Sequence, residues 1–143
     1  MKRIHVVALF VCALIWSGCG SGIQPAGHNG SAAGDDAIKR AFDSRASSVQ
    51  LEGEGQVTRI LTDDLDRPRH QRFIVRLASG QTLLIAHNVD IAPRIEGLRE
   101  GDSIRFNGEY AWNPEGGVIH WTHSDPEGRH VTGWLKHNGR TYQ

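Results

Sequence analysis

Residues 70–77 read His-Gln-Arg-Phe-Ile-Val-Arg-Leu, the clearest strand pattern in the chain. Polar or charged residues fill most even positions, and the odd positions from Gln71 to Leu77 are mainly apolar. Alternation with a period of two is typical of a strand that has one face in a core and one toward water. We therefore predict a strand here, with its basic residues on the outer face.

Similar runs on both sides extend this pattern into a sheet. A hairpin turn at Ser79-Gly80-Gln81 leads into the next run, because glycine there can adopt a positive φ. Short alternating or apolar runs predict further strands at 56–61, 82–89, 103–112 and 118–123. Residues 128–143 are predicted to close the structure as a short strand or loop.

The order of the elements indicates the fold class. Ile91, Ile95 and Leu98 have helical spacing, which predicts a short helix between strands three and four. Three strands, a helix and two strands are the order of an OB-fold, a small five-stranded barrel. We predict an all-β, OB-like domain over 51–143, preceded by a short helix and linker over 35–50. Another small barrel or a sandwich is the alternative.

The N-terminus has the layout of an export signal. Lys2 and Arg3 precede a mainly apolar run from Ile4 to Ile15, which is shorter than a membrane-spanning helix requires. We expect a signal peptide over 1–18 and a flexible tether over 19–34. Ser17-Gly18-Cys19 resembles a lipobox, although Trp16 stands where leucine is usual. With Cys19 lipidated, the protein would be a lipoprotein of the periplasm or the outer membrane. Without the lipid, it would be free in the periplasm or secreted.

Net charge and the positions of the cysteines limit the possible functions. The chain has 16 basic and 16 acidic residues, and removal of Lys2 and Arg3 leaves the exported part slightly acidic. Nucleic acid therefore stays open as a partner, but net charge does not favour it. Both cysteines, Cys12 and Cys19, lie at the signal. The exported domain therefore has no disulfide and no cysteine nucleophile.

Histidines are the candidate chemical groups, since imidazole exchanges protons and binds metals near neutral pH. His120, His123 and His130 lie close in sequence, with Asp125 among them. We expect His123, Asp125 and His130 to approach one another around a turn. The four are candidate ligands for zinc or another divalent metal. The three histidines are also candidates for acid–base catalysis. Structural hydrogen bonding is the alternative role.

A basic row and one tryptophan are the candidate binding groups. In OB-folds the face around the second and third strands often binds the ligand. Trp112 and Trp121 are predicted to belong to the core. The predicted ligand-binding set is Arg69, His70, Arg72, Arg76, His87 and Trp134. Forked arginine hydrogen bonds suit phosphates or carboxylates, and an exposed indole suits bases or sugar rings.

The stretches Ala86-His87-Asn88-Val89-Asp90 and His120-Trp121-Thr122-His123 carry a family resemblance. Together with Gly108 to Asn113 and the segment from Asp125 to Leu135, they resemble a family of small exported bacterial proteins known only as a domain of unknown function. The resemblance covers about residues 53–143 and implies kinship without an activity.

Two function classes follow from these observations. The first is an OB-like binding module of the cell envelope, with a polyanion such as nucleic acid, or a saccharide, as its ligand. The alternative is a histidine-dependent hydrolase or nuclease, with or without a metal. The sequence contains no nucleophile elbow and no phosphate-cradling glycine loop.

Overall fold

The computed structural model describes residues 29–143, and side chains from residue 32 onward. The predicted signal peptide, Cys19 and the first part of the predicted tether lie outside the described residues. One helix and seven strands are present in the described part: α1 Asn29–Asp43, β1 Val49–Ile60, β2 His70–Arg76, β3 Thr82–Asn88, β4 Ser103–Ala111, β5 Val118–His120, β6 Trp134–His137 and β7 Arg140–Tyr142.

The first five strands form a closed barrel. The strand order is β1-β2-β3-β5-β4, and an additional pairing of β1 with β4 closes the ring. β3 and β5 are parallel, while the other neighbouring strands are antiparallel. This arrangement fits an OB-like fold, so the predicted all-β small barrel is confirmed. The C-terminal segment forms the β6–β7 hairpin, which extends the sheet from β4.

Closure depends on the length and bend of β1. Its first half pairs with β4 and its second half with β2, and Gln56 is the residue that pairs with both. Glycines allow the close approach needed at this bend. A side chain at Gly53 would come within 2.6 Å of the Phe106 ring, and one at Gly55 within 2.7 Å of the Arg76 carbonyl oxygen. The strand was predicted to begin at position 56, but it begins seven residues earlier, at Val49.

The core lies inside the barrel, and the strand alternation predicts it. Along β2, burial falls on Gln71, Phe73 and Val75, and the positions between them are partly or fully exposed. β4 repeats the pattern, with Phe106 and Tyr110 fully buried. The apolar members of the core that are fully inaccessible to solvent are Ile38, Phe73, Val75, Ile85, Ile104, Phe106, Tyr110, Ile119 and Leu135.

Helix α1 begins earlier than the sequence predicts. Residues 29–34 were expected in the flexible tether, but they form the first turns of α1. The reason is a close contact with the barrel: a Cβ at Gly34 would lie 2.6 Å from the carbonyl oxygen of Glu52 in β1. Ile38 and Ala41 are buried in the same core as the strands. None of the helices within 29–143 has the length and apolar character needed to cross a bilayer.

The helix predicted between β3 and β4 is absent, and turns occupy residues 89–102 instead. Side chains from the barrel take up the backbone groups that a helix would have used. The amide of Gln71 accepts from the Ile95 N–H at 2.9 Å and donates to the Ile95 carbonyl at 3.0 Å. His87 contacts the carbonyl of Pro93, which itself has no N–H to donate. This loop is therefore fixed to the barrel wall.

Candidate functional site: a tryptophan–histidine groove

The candidate site is a groove on the outer face of the barrel, where β2, β3, β4 and β5 meet. Strand register brings its side chains together: His70 pairs with Asn88, and Glu109 pairs with His120. All four belong to the outward set of their strands, because their neighbours in sequence on each strand point inward.

Trp121 stands at the centre of the groove. β5 ends at His120, and Trp121 adopts a positive φ of 52°, which turns the chain and places the ring 40% exposed. Alternation along an extended strand predicts an inward Trp121, and this prediction is wrong. The two following residues, Thr122 and His123, are buried instead. A left-handed conformation in a bulky residue is costly and is often found at binding sites.

Cavities lie on both sides of Trp121. The larger, of about 420 Å³, is lined by Asn88, Ile91, Glu109, Trp121, His123, Arg129 and His130. The smaller, of about 140 Å³, is lined by Pro68, His70, Ala86, Asn88, His120, Trp121 and His123. Trp121, Asn88 and His123 belong to both, so the two cavities form one groove across the indole. Exposed Ile91 adds an apolar side to the larger cavity.

Three histidine rings surround the indole. The ring centroids of His120, His123 and His130 lie 5.6, 5.7 and 4.5 Å from that of Trp121. His123 and His130 also contact each other edge to face, with centroids 4.8 Å apart. The two rings thus lie together where the chain turns around Asp125.

Hydrogen bonds fix the protonation pattern of two of these rings. Nδ1 of His123 lies 2.8 Å from the carbonyl oxygen of Ser124, and Nδ1 of His130 lies 2.8 Å from that of Val131. A carbonyl oxygen only accepts, so each Nδ1 carries the hydrogen. In the neutral ring, Nε2 is therefore a lone-pair acceptor. Nε2 of His130 is buried without a hydrogen-bond partner in the described part of the chain.

Two carboxylates lie next to the histidines. Oε1 of Glu109 is 3.6 Å from Nε2 of His120, and Oδ2 of Asp125 is 3.8 Å from Nε2 of His130. Neither distance is a hydrogen bond. Burial, partly opposed by Glu109, lowers the pKa of His120, so this ring stays neutral at neutral pH. Burial alone would raise the pKa of Asp125, but backbone N–H groups from His130 and its neighbours hold it below its ordinary value.

His87 does not belong to the ligand surface where the sequence placed it. The ring is completely buried, with Nδ1 2.8 Å from the Thr122 hydroxyl and Nε2 3.0 Å from the Pro93 carbonyl. The carbonyl requires a hydrogen on Nε2, so Nδ1 accepts from Thr122. Burial lowers the pKa of His87 to about 4. Its physical role is to connect the β3–β4 loop to the segment that carries Trp121.

The predicted basic row faces outward, but the protein itself occupies two of its arginines. Arg69 forms an ion pair with Asp90 at 2.6 Å, and Arg72 donates two hydrogen bonds to the Thr62 carbonyl at 3.1 and 2.8 Å. Arg76 lines a separate cavity of about 510 Å³ beside Glu54, away from the groove. His70 is the member of the row that lines the groove.

Trp134, the predicted exposed platform, is half-buried and covered by cations. Nζ of Lys136 lies 4.3 Å from its ring centroid, and the guanidinium of Arg105 lies 5.8 Å away. Trp112 is packed against the core, as predicted, and stacks on Phe42. Trp121, and not Trp134, is therefore the exposed indole of these two. No local signal in the sequence marks the turn that exposes Trp121.

Metal ligation does not follow from the positions of the predicted ligands. Over the described residues, no group of three or more His, Cys, Asp or Glu side chains is placed to hold a metal ion. Asp125 is the reason within the predicted set, because its two oxygens accept backbone N–H groups of Glu127 and His130 and so form the turn. His120 lies next to Glu109 instead of Asp125.

The fold and groove define a small OB-like barrel with an aromatic and histidine-rich outer face. The family described as "Protein of unknown function (DUF3465)" matches residues 24–143. The chain therefore belongs to this family, which confirms the kinship that the sequence indicated.

A further relative is more distant. A 69-residue stretch is 39% identical to the GTPase Obg of Desulforudis audaxviator (strain MP104C), covering 46% of this chain and 15% of that protein. The chain thus matches a small part of the GTPase, and nothing about activity follows. No solved structure matches this chain.

Proposed function

We propose that this protein is a saccharide-binding module of the cell envelope, with the groove around Trp121 as its binding site. The observation that supports the proposal is an exposed indole with hydrogen-bonding side chains on both sides. Sugar rings present apolar faces and polar edges, and an aromatic platform flanked by Asn88, Glu109 and His70 complements both. The position on the outer face at β2 and β3 agrees with ligand binding in OB-folds.

A saccharide fits these contacts better than a polyanion. A polyanion requires basic side chains that are free to meet it, and Arg69 and Arg72 already bind groups of the protein. The carboxylate of Glu109 lines the larger cavity and would repel phosphate. The assignment to the envelope follows from the signal-like residues 1–18 and from Cys19, whose lipidation would anchor the module to the membrane.

Replacing Trp121 with alanine should weaken saccharide binding about tenfold or more, because the stacking surface is lost. The measurement is calorimetric titration with a panel of soluble β-linked oligosaccharides. Trp134→Ala is the matched control, since that indole lies outside the groove and is covered by Lys136. Circular dichroism confirms that both variants fold. Equal weakening by both variants, or no effect of Trp121→Ala, contradicts the assignment of the site.

Hydrolysis is the second candidate function, and the pair of His120 and Glu109 favours it. A neutral imidazole next to a carboxylate can accept a proton from an attacking water molecule. In that case the bound oligosaccharides should be cleaved over time, and chromatography of the products measures this. His120→Gln should abolish cleavage and retain binding. Intact oligosaccharides after prolonged incubation with the wild type would leave binding alone.

A further inference from the structure

The larger cavity beside Trp121 is lined by a carboxylate and two imidazole rings. Nδ1 of His123 and Nδ1 of His130 each donate to a backbone carbonyl, which leaves Nε2 as the second nitrogen of each ring. The carboxylate of Glu109 only accepts, and it lines the larger cavity with both rings. A ligand that donates hydrogen bonds or carries positive charge is therefore favoured over one that accepts.

The buried His130–Asp125 contact adds to this demand. Oδ2 of Asp125 lies 3.8 Å from Nε2 of His130, and the two side chains are 1% and 8% exposed. The Asp125 carboxylate therefore contributes a negative potential behind the ring of His130, which lines the larger cavity.

Protein cations do not satisfy that potential. Arg129 is the one lysine or arginine among the residues that line the two cavities. Its Nε lies 3.3 Å from a carboxylate oxygen of Glu127 and 3.7 Å from Asp125, and the side chain is 71% exposed. The Arg129 side chain is thus mostly in solvent, and its charge is balanced by the carboxylates of Glu127 and Asp125 in the same turn.

The other tryptophans of the described part show what Trp121 lacks. Trp112 is covered by the guanidinium of Arg45 at 5.3 Å, and Trp134 by the ammonium of Lys136 at 4.3 Å. No lysine or arginine in residues 32–143 covers the ring of Trp121. Its exposed face is free to accept a cation from a ligand.

We propose that the groove selects saccharides with a free amino group, whose ammonium lies over Trp121 and beside Glu109. This inference rests on the proposed saccharide-binding function and adds the class of sugar. The indole would contact the sugar ring and the ammonium together, and Glu109 would form the ion pair. The rings of His123 and His130 would form part of the wall of the same cavity.

Three oligosaccharides with the same β-1,4 linkage test the proposal. They are trimers of glucosamine, of N-acetylglucosamine and of glucose, which differ only in the group at carbon 2. In calorimetric titrations with a chelator present, we expect the glucosamine trimer to bind about tenfold more tightly than the other two. Added salt should weaken only the glucosamine trimer, since ionic screening acts on the charged ligand.

Glu109→Gln should abolish this preference, so that the variant binds all three trimers equally, because the amide keeps the shape of the carboxylate and loses its charge. Glu115→Gln is the matched control, because Glu115 is an exposed glutamate in the β4–β5 loop and does not line the groove. Equal binding of all three trimers by the wild-type protein would overturn the amino-sugar inference and leave the saccharide function standing. No binding of any trimer would overturn both. Displacement of the glucosamine trimer by zinc, with the preference intact in Glu109→Gln, would identify a metal site and also overturn the inference.

Discussion

Replacing Gly117 with alanine should lower the free energy of unfolding by about 3–5 kcal/mol, since it combines backbone strain with overpacking. Gly117 has a φ of 104°, which side chains rarely adopt. An added Cβ would overlap the ring of Tyr110, which is completely buried and donates a hydrogen bond to the Gly116 carbonyl. Relief of that overlap would require displacement of the core beside β5.

Gly139→Ala separates the two contributions. Gly139 also has a positive φ, of 76°, but an added Cβ there meets no atom within 4 Å. This control should lose only about 1 kcal/mol, the conformational part of the effect. Urea denaturation followed by tryptophan fluorescence measures both variants. Equal losses in the two variants would contradict the packing argument.

Acidification should cost the protein about 3 kcal/mol of stability through His87 alone. Its pKa is lowered from 6.5 to about 4 in the folded protein, because the ring is buried. Below about pH 6.5 the unfolded chain therefore binds a proton that the folded protein resists. The contribution is fully present above that pH and is lost as pH falls toward about 4.

Denaturation at a series of pH values with His87→Gln tests this prediction. The variant should be less stable at neutral pH, because glutamine cannot bridge both Thr122 and Pro93, and its stability should depend less on pH in this window. Asn88→Gln, on the outer face of β3 next to His87, is the control and should retain the wild-type slope, because it changes no titratable group. The lowered pKa of His120 acts in the same direction, so part of the slope should remain. An unchanged slope in His87→Gln would contradict the prediction.

The barrel could be predicted because the alternation of apolar and polar residues along each strand indicates which of its faces is buried. The inward set of β2 and the run from Ile104 to Tyr110 in β4 were identified from this local pattern alone. The β3–β4 helix was predicted wrongly, because the deciding contacts are remote. Gln71 and His87 lie on different strands, and their hydrogen bonds to this loop depend on the folded barrel.

The site followed the same division. The approach of His123 and His130 could be predicted, since a short turn around Asp125 joins them. The exposure of Trp121 could not, because one backbone angle reverses the alternation without a glycine to mark it. Likewise, the pairing of Arg69 with Asp90 could not be predicted, because it brings together residues from two loops that are 21 positions apart in the sequence.

The shared strand β1 makes assembly of the barrel a late event. Val49, at the start of β1, pairs with Tyr110, near the end of β4, so the ring stays open until most of the chain is available. Contacts between residues so far apart in sequence slow folding, and barrels of this kind fold in milliseconds to seconds. Until then, the first half of β1 presents an unpaired edge that can bind other chains. A nascent or truncated chain that ends before β4 would therefore depend on dilution or on a chaperone to stay unaggregated.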